Sequence, residues 1–307
     1  MKIYTLKNSP LPGIRVVTIG AFDGLHLGHQ ALIKRTFELA DTLGYPPALV
    51  TFDPHPRMVI QPHLDFQLLT PLEEKLEILE KMGVPEVILI PFTKTLAELS
   101  PDLFVEHYLV DLIKVKGVVV GFNFRFGRGR TGDGKLLKLL GEKFHFHVEV
   151  MAPIVVEGKT VSSTNIRELL KNSNLDLANK LLGRPYSLKG KVIKGKGRGK
   201  YLGFPTANIQ VPPYKLIPAP GVYAVLVTTK EVKFLGAMNI GIKPTFGDKA
   251  LSIEVHLLNY NSNDTLYGEL LKVDLIKYIR TERKFSSVAE LISQIKQDCQ
   301  KIREILS

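Results

Sequence analysis

Cysteine is nearly missing from this chain: Cys299 is the single one in 307 residues. That excludes an intramolecular disulfide and fits a reducing compartment, so a cytoplasmic location is expected. No apolar run is long enough to span a bilayer. The start, Met1-Lys2-Ile3-Tyr4-Thr5-Leu6-Lys7, is too short in its apolar part to be a signal peptide. Acidic residues are outnumbered, 30 Asp and Glu against 41 Lys and Arg, giving a formal net charge of +11 and a pI near 9.5. Such a balance favours polyanionic partners, and nucleotide phosphates satisfy it as well as nucleic acid does. No internal repeat, low-complexity segment or G-x-x-x-x-G-K-S/T P-loop occurs. What remains is an ordinary globular composition, 45% apolar and 23% charged, long enough for two domains.

The most informative stretch is Gly20-Ala21-Phe22-Asp23-Gly24-Leu25-His26-Leu27-Gly28-His29. It follows the apolar run Val16-Val17-Thr18-Ile19, which reads as a buried parallel strand. It precedes residues 31–40, whose apolar spacing fits a helix packed on a sheet. Two histidines three apart thus fall at a strand-to-helix turn, where free backbone N–H groups and the helix dipole suit an anion. Gly28 removes a side chain where a nucleotide could lie against the backbone. A structural pair of histidines is the bland alternative, and a metal site is disfavoured because no cysteine is near. The full H-x-G-H after a strand resembles the signature of the HxGH nucleotidyltransferase superfamily, which implies ATP phosphates held while one is attacked.

Apolar runs at 48–52, 87–90, 118–120 and 146–150 alternate with helical segments. One helix is expected to open at Thr70-Pro71 with Thr70 as its cap and to close at Gly83; another is capped by Ser100. Alternation of this kind predicts a doubly wound parallel sheet, with ligands at the carboxyl ends of its strands. Those ends carry His26 and His29, then Asp53-Pro54-His55, then Gly121-Phe122-Asn123-Phe124-Arg125. The last stretch reads equally well as a solvated basic loop. Ser162-Ser163-Thr164-Asn165-Ile166-Arg167 precedes a helix at 168–170. It is either a plain cap or a holder of phosphates through hydroxyls and an Arg.

A short helix at 174–182 is stopped by Gly183-Arg184-Pro185, and the pattern then changes. Short apolar segments separated by Gly, Pro and Asn predict a small antiparallel β-barrel. A final helix follows, opened by a Ser287-x-x-Glu290 capping box. Its apolar stripe runs Val288, Leu291, Ile292, Ile295, Cys299, Ile302 and Leu306, with Cys299 a small core residue. Two domains are expected, 1–185 and 186–307. In the second, Gly195-Lys196-Gly197-Arg198-Gly199-Lys200 is a glycine-rich basic loop that suits either a triphosphate or a nucleic acid. Gly203-Phe204-Pro205-Thr206-Ala207-Asn208 follows it.

Taken together, residues 20–30, 51–56, 121–132, 162–167, 203–208, 221–224, 239–246, 254–258, 266–268 and 279–285 are similar, in order, to the prokaryotic bifunctional riboflavin kinase/FMN adenylyltransferase (FAD synthetase) family. They extend over nearly the whole chain. The resemblance implies that the second domain phosphorylates riboflavin and the first adenylylates FMN, with ATP as co-substrate and Mg²⁺ as cofactor. FMN, FAD, ADP and pyrophosphate are then its other ligands. It implies ATP contacts from Phe22, Asp23, Gly24, His26, Gly28, His29, Ser163, Thr164 and Arg167 in the adenylyltransferase. Asp53, Pro54, His55, Asn123 and Arg125 fall on its flavin side, and His26, His29 and Asn123 are its catalytic residues. In the kinase it implies ATP contacts from Gly195, Gly197, Lys200, Thr206 and Asn208. Thr206 and Asn208 carry the metal, Glu254 is the base, and Glu254 and Arg280 lie at the flavin. Three departures touch the kinase loops: Lys200 stands in place of Arg, Asn259 in place of Asp, and the 259–265 turn is slightly longer. No nucleic-acid or membrane partner is expected, and the chain is expected to be a monomer or a weak oligomer. The competing reading is a monofunctional HxGH nucleotidyltransferase with a basic nucleic-acid-binding module behind it.

Overall fold

The computed structural model describes residues 1–307 except 8, 196, 245–248, 261–265 and 307; among the rest, the side chains of 198, 200, 242–244, 249 and 250 are also left undescribed. The chain divides into two compact units, 1–163 and 164–307.

The first unit is built on a parallel sheet of six strands: β1 (Lys2–Thr5), β2 (Arg15–Ile19), β3 (Pro47–Asp53), β4 (Glu86–Pro91), β5 (Val115–Gly121) and β6 (His147–Met151). Their order across the sheet is β1-β4-β3-β2-β5-β6, and every adjacent pair is parallel. The expected doubly wound architecture is present. One strand more is found than the apolar runs suggest, because β1 is a short edge strand with mostly exposed residues. The strand before the histidine turn is therefore the second along the chain.

The central strands are apolar on both faces, as a sheet covered on both sides requires. Val16, Leu49, Val87 and Val119 pack toward α1 (Leu27–Leu43) and α3 (Leu72–Lys81). Their neighbours Val17, Ile88, Val118 and Val120 pack on the other face. There they meet α5 (Pro101–Phe104), the π-helical turns at Val105–Ile113, and α6 (Gly134–Phe144). Two short helices, α2 (Pro56–Ile60) and α4 (Lys94–Ala97), follow β3 and β4, and a small hairpin, β7 (Val155–Val156) with β8 (Lys159–Thr160), follows β6. The chain leaves β2 toward β3 and returns on its other side as β5. The order reverses there, and in sheets of this kind ligands bind at the carboxyl ends of the strands on either side of such a reversal.

Two local expectations are corrected. Thr70 does not cap α3: the helix starts at Leu72, one residue later than expected, so Pro71 occupies the cap position with no side-chain bond. The backbone N–H groups of Leu69 and Thr70 are taken by the carboxylate of Asp23. The helix expected at 168–170 begins earlier, as α7 (Ser163–Lys171).

In the second unit α7 is followed by α8 (Leu175–Leu182), capped by the Asn174 side chain and ended by left-handed Gly183. Six antiparallel strands then close a barrel in the order β10-β13-β12-β11-β14-β9. They are β9 (Tyr186–Ile193), β10 (Ala207–Gln210), β11 (Gly221–Thr229), β12 (Val232–Pro244), β13 (Lys249–Leu257) and β14 (Leu270–Arg280). A single turn, α9 (Arg198–Tyr201), lies between β9 and β10. The terminal helix α10 (Val288–Leu306) lays Cys299 and Ile302 against Ala224 and Leu258. Val288, expected on that stripe, is 61% exposed, since it is the first residue of the helix. Ser287 caps α10 by accepting from the Glu290 N–H, whereas the Glu290 carboxylate reaches back to Ser286. Of the three departures from the family pattern, residues 261–265 and the Lys200 side chain lie outside what is described.

Candidate active sites on the two units

In the first unit, His26 is the N-cap of α1, and its Nδ1 accepts from the His29 backbone N–H at 3.3 Å. A neutral His26 ring therefore carries its proton on Nε2. The two imidazoles stack with centroids 3.6 Å apart and 14° between planes. Phe22 meets the His29 ring edge-on at 5.1 Å. A Cβ on Gly28 would press on the His26 ring at 3.2 Å, so the glycine allows the ring its place. This is a helix start that combines the positive dipole end with two imidazoles, a setting for phosphate.

Asp23 is buried, and its carboxylate accepts from Leu69 N at 3.2 Å and Thr70 N at 3.0 Å. Its carbonyl accepts from the Ser163 hydroxyl at 2.7 Å. The geometry engages Asp23 in shaping the turn and joins Ser163 to it. Thr164 and Arg167 follow on α7. Asn123 is exposed in the turn closed by Phe124 N to Gly121 O, just past β5 and beside the end of β2. Arg125 donates to the Phe124 carbonyl and is exposed. At the end of β3 stand Asp53 and Pro54, and His55 caps α2 by accepting from Arg57 N. Phe66 lies 4.7 Å from the His55 ring and 5.1 Å from the Arg57 guanidinium carbon. The sheet thus gathers the β2, β3 and β5 loops along one edge. Lys75, half-way along α3, escapes the sequence reading because its spacing looks like that of a surface helix; it is buried, and its Nζ donates to the Ala21 carbonyl at 2.8 Å.

In the second unit, Asn208 of β10 sits directly across from Glu254 of β13, and Asn239 of β12 flanks Glu254 on the other side. Residues in register share a face of the sheet. Their neighbours Ala207, Ile209, Ile253, Val255, Met238 and Ile240 are buried in the barrel, so these three point outward. The Thr206 hydroxyl donates to the Glu254 carboxylate at 3.4 Å. The loop before β10 needs its glycines: a Cβ at Gly195 would collide with the Asn208 side chain, and one at Gly199 with the Phe204 carbonyl. Gly197 and Gly203 have φ of 68° and 82°. Asn239 donates to the Glu282 carboxylate at 3.0 Å, a residue the sequence reading did not single out.

Arg280 is paired with the terminal helix. Its Nε and Nη2 hold the buried Asp298 of α10, the closest approach being 2.7 Å, and Gln294 donates to the same carboxylate. The arginine therefore clasps the end of β14 to the terminal helix. A cavity of about 400 Å³ lies between Phe204, His256 and Leu258 on one side and Lys296, Cys299 and Arg303 of α10 on the other. His256 Nδ1 donates to the Pro205 carbonyl at 2.8 Å, tying β13 to the loop before β10. Among the described residues no cluster of three His, Cys, Asp or Glu offers a metal site, and no helix is long and apolar enough to cross a membrane.

An HxGH turn at the switch point of a parallel sheet, joined to a barrel with a carboxylate beside a hydroxyl and an amide, defines an ATP-dependent transferase with two sites. Residues 10–165 match the FAD synthetase family model and residues 182–306 the riboflavin kinase model. The chain belongs to the bifunctional riboflavin kinase/FMN adenylyltransferase family and is an enzyme of flavin cofactor synthesis. The relative from Listeria monocytogenes is 42% identical over 94% of this chain and 91% of its own. Those from Bacillus subtilis and Escherichia coli K12 are 39% and 38% identical, over 93% and 96% of this chain and 90% and 94% of theirs. A crystal structure described as a macrolide-efflux protein from Streptococcus pneumoniae has a TM-score of 0.90 at 31% identity, with 99% of each chain covered.

Proposed function

We propose that the two activities divide between the two folds, with functional domains of 1–185 and 186–307. The barrel phosphorylates riboflavin to FMN, releasing ADP. The parallel-sheet domain transfers AMP from a second ATP to FMN, giving FAD and pyrophosphate. The observation that carries this reading is the outward-facing Thr206, Asn208 and Glu254 on one barrel face, remote in fold type from the histidine pair.

Phosphorylation needs a base, because a ribityl hydroxyl is a weak nucleophile. Glu254 accepts that proton as the oxygen attacks the γ-phosphorus; the bond to the bridging oxygen breaks and ADP leaves. Thr206 and Asn208 offer oxygen donors on one face, and the missing Cβ of Gly195 leaves the Asn208 side chain its room, so these residues fit a hard cation. Mg²⁺ would be held there with the ATP phosphates and would supply charge neutralisation. Gly195, Gly197 and Lys200 form the phosphate side of the loop. The cavity between Phe204 and α10 suits the nucleotide base, since its walls are part apolar. Arg280 serves the flavin side by anchoring the 281–285 segment.

Adenylyl transfer needs no base, because the FMN phosphate is already ionised near neutral pH. One of its oxygens attacks the α-phosphorus and the bond to the β-phosphate oxygen breaks. His26 and His29 neutralise the charge that develops, and the Phe22–Gly24 turn and Gly28 shape their seat. Asn123 positions the reacting groups, with Asp53, Pro54, His55 and Arg125 on the flavin side. Ser163, Thr164 and Arg167 hold the departing pyrophosphate. The chain acts in the cytoplasm, where its lone buried thiol stays reduced.

Incubation with riboflavin, ATP and Mg²⁺, followed by chromatography of the flavins, tests the whole reading. FMN appears first and FAD follows. Tight RNA binding without flavin turnover would instead support the module reading of the basic second half.

A further inference from the structure

Lys75 is a buried cation beneath the histidine turn. Only 5% of it is exposed. Its Nζ donates to the Ala21 carbonyl at 2.8 Å and to the Thr51 hydroxyl at 3.4 Å, while that hydroxyl donates to the same carbonyl at 3.2 Å. A lysine is seldom placed in a core where an apolar residue would serve. Burial pushes its ammonium below the ordinary lysine range, against the opposing pull of Asp23 and Asp53.

The carbonyl it holds opens a turn with unusual backbone. Phe22 and Leu25 have φ of 48° and 41°, and Gly24 has 93°. Such conformations persist only where the surroundings impose them. Two reciprocal ties do so here. The carboxylate of Asp23, in the turn, takes the two N–H groups just ahead of α3. The ammonium of Lys75, in α3, takes the carbonyl at the start of the turn. The turn ends at His26, whose ring stacks on His29.

We infer that Lys75 is a positioning residue for adenylyl transfer: by fixing the Ala21 carbonyl it sets the Phe22–Leu25 backbone that presents His26 and His29 to ATP. The inference rests on the reading that these histidines meet the ATP phosphates. Lys75 touches neither substrate nor reacting atoms, so its loss acts through them. The flavin-side Asp53 loop begins two residues past Thr51 on the same strand, so the discriminating comparison is with the kinase reaction of the other domain.

The test uses the full chain. Lys75→Met keeps the apolar stem and removes the donor. Adenylyl transfer should lose at least tenfold in kcat/KM for ATP, while riboflavin phosphorylation in the same preparation stays within twofold. The ring-proton NMR shifts that ATP induces in His26 and His29 should shrink as well. Wild-type kcat/KM for ATP in a folded Lys75→Met protein overturns the inference, and so does an equal fall in both activities. If Lys75→Met does not fold, Thr51→Val is read instead, since it removes the second donor to the same carbonyl. A three- to tenfold fall confined to adenylyl transfer supports the inference, and no change overturns it. His29→Ala is measured in parallel. If it too leaves adenylyl transfer intact, the histidine assignment itself has failed; if it cripples the reaction while Lys75→Met does not, only the inference about Lys75 has.

Discussion

Replacing Glu254 with Gln removes a negative charge from the barrel face and leaves almost everything else in place. The side chain keeps its volume, and its amide oxygen still accepts from the Thr206 hydroxyl. That bond is long, 3.4 Å, and only part-buried, so weakening it costs about 1 kcal/mol of stability at most. Asn208 and Asn239 still flank the position in register. The lost function is proton acceptance, for which an amide has no capacity. General-base catalysis contributes roughly 10²- to 10⁴-fold, or about 3–5 kcal/mol of barrier. Riboflavin phosphorylation in Glu254→Gln should therefore fall by at least a hundredfold, in kcat more than in KM for ATP. Supplied with FMN, the same protein should make FAD at close to the wild-type rate, because that nucleophile arrives ionised. The assay is flavin chromatography after timed incubations with each substrate. Normal phosphorylation of riboflavin by the mutant would refute the argument, since Glu254 would then be an ordinary outward strand residue.

Three further outcomes follow from the same geometry. His29→Ala should lower FAD formation from FMN by about 10²-fold or more while FMN formation is unchanged, measured with the same flavin assay. Fragments of residues 164–307 and 186–307 should both phosphorylate riboflavin, but the one starting at Tyr186 should melt much earlier: it discards α8, with Leu175, Leu181 and Leu182 buried and Asn179 bonded to Leu275 O and Tyr186 N. Each such leucine contributes roughly 1.5–3 kcal/mol, and equal thermal unfolding of the two fragments would count against this packing. Arg280→Ala leaves the buried Asp298 carboxylate without its bidentate partner and should cost on the order of 3 kcal/mol. A matching drop in denaturant midpoint checks it, and an unchanged midpoint with weaker riboflavin binding would instead make Arg280 a direct flavin contact.

How far the chain could be read depended on whether the deciding residues are close in sequence. The His26/His29 turn was legible because strand, turn and helix are contiguous and each has a local signature. The barrel and its terminal helix were legible from the change in periodicity after Gly183. β1 was not, because Lys2–Thr5 is a mostly exposed edge. β10 was not, because Ala207–Gln210 follows directly on a Gly- and Pro-containing loop that masks a four-residue strand. Thr70 looked like a cap, but the helix starts one residue later, and the Thr70 N–H goes to a carboxylate 47 positions earlier that nothing local announces. The pairing of Arg280 with Asp298 was not legible, because Asp298 lies 18 residues on, across a loop and three helical turns. Lys75 shows the same limit: nothing local distinguishes a helix lysine facing water from one facing a carbonyl of the histidine turn. The cavity between Phe204, His256 and α10 combines three distant segments, and no single one of them announces it.

The account's central claim is that one chain holds two chemically independent sites linked by FMN. It is tested most directly by giving riboflavin, ATP and Mg²⁺ to His29→Ala and Glu254→Gln proteins, singly and mixed. The prediction is FMN without FAD from the first, neither product from the second, and FAD restored when the two are combined. Loss of FMN production in a folded His29→Ala protein, or of FAD production from added FMN in a folded Glu254→Gln protein, would contradict it.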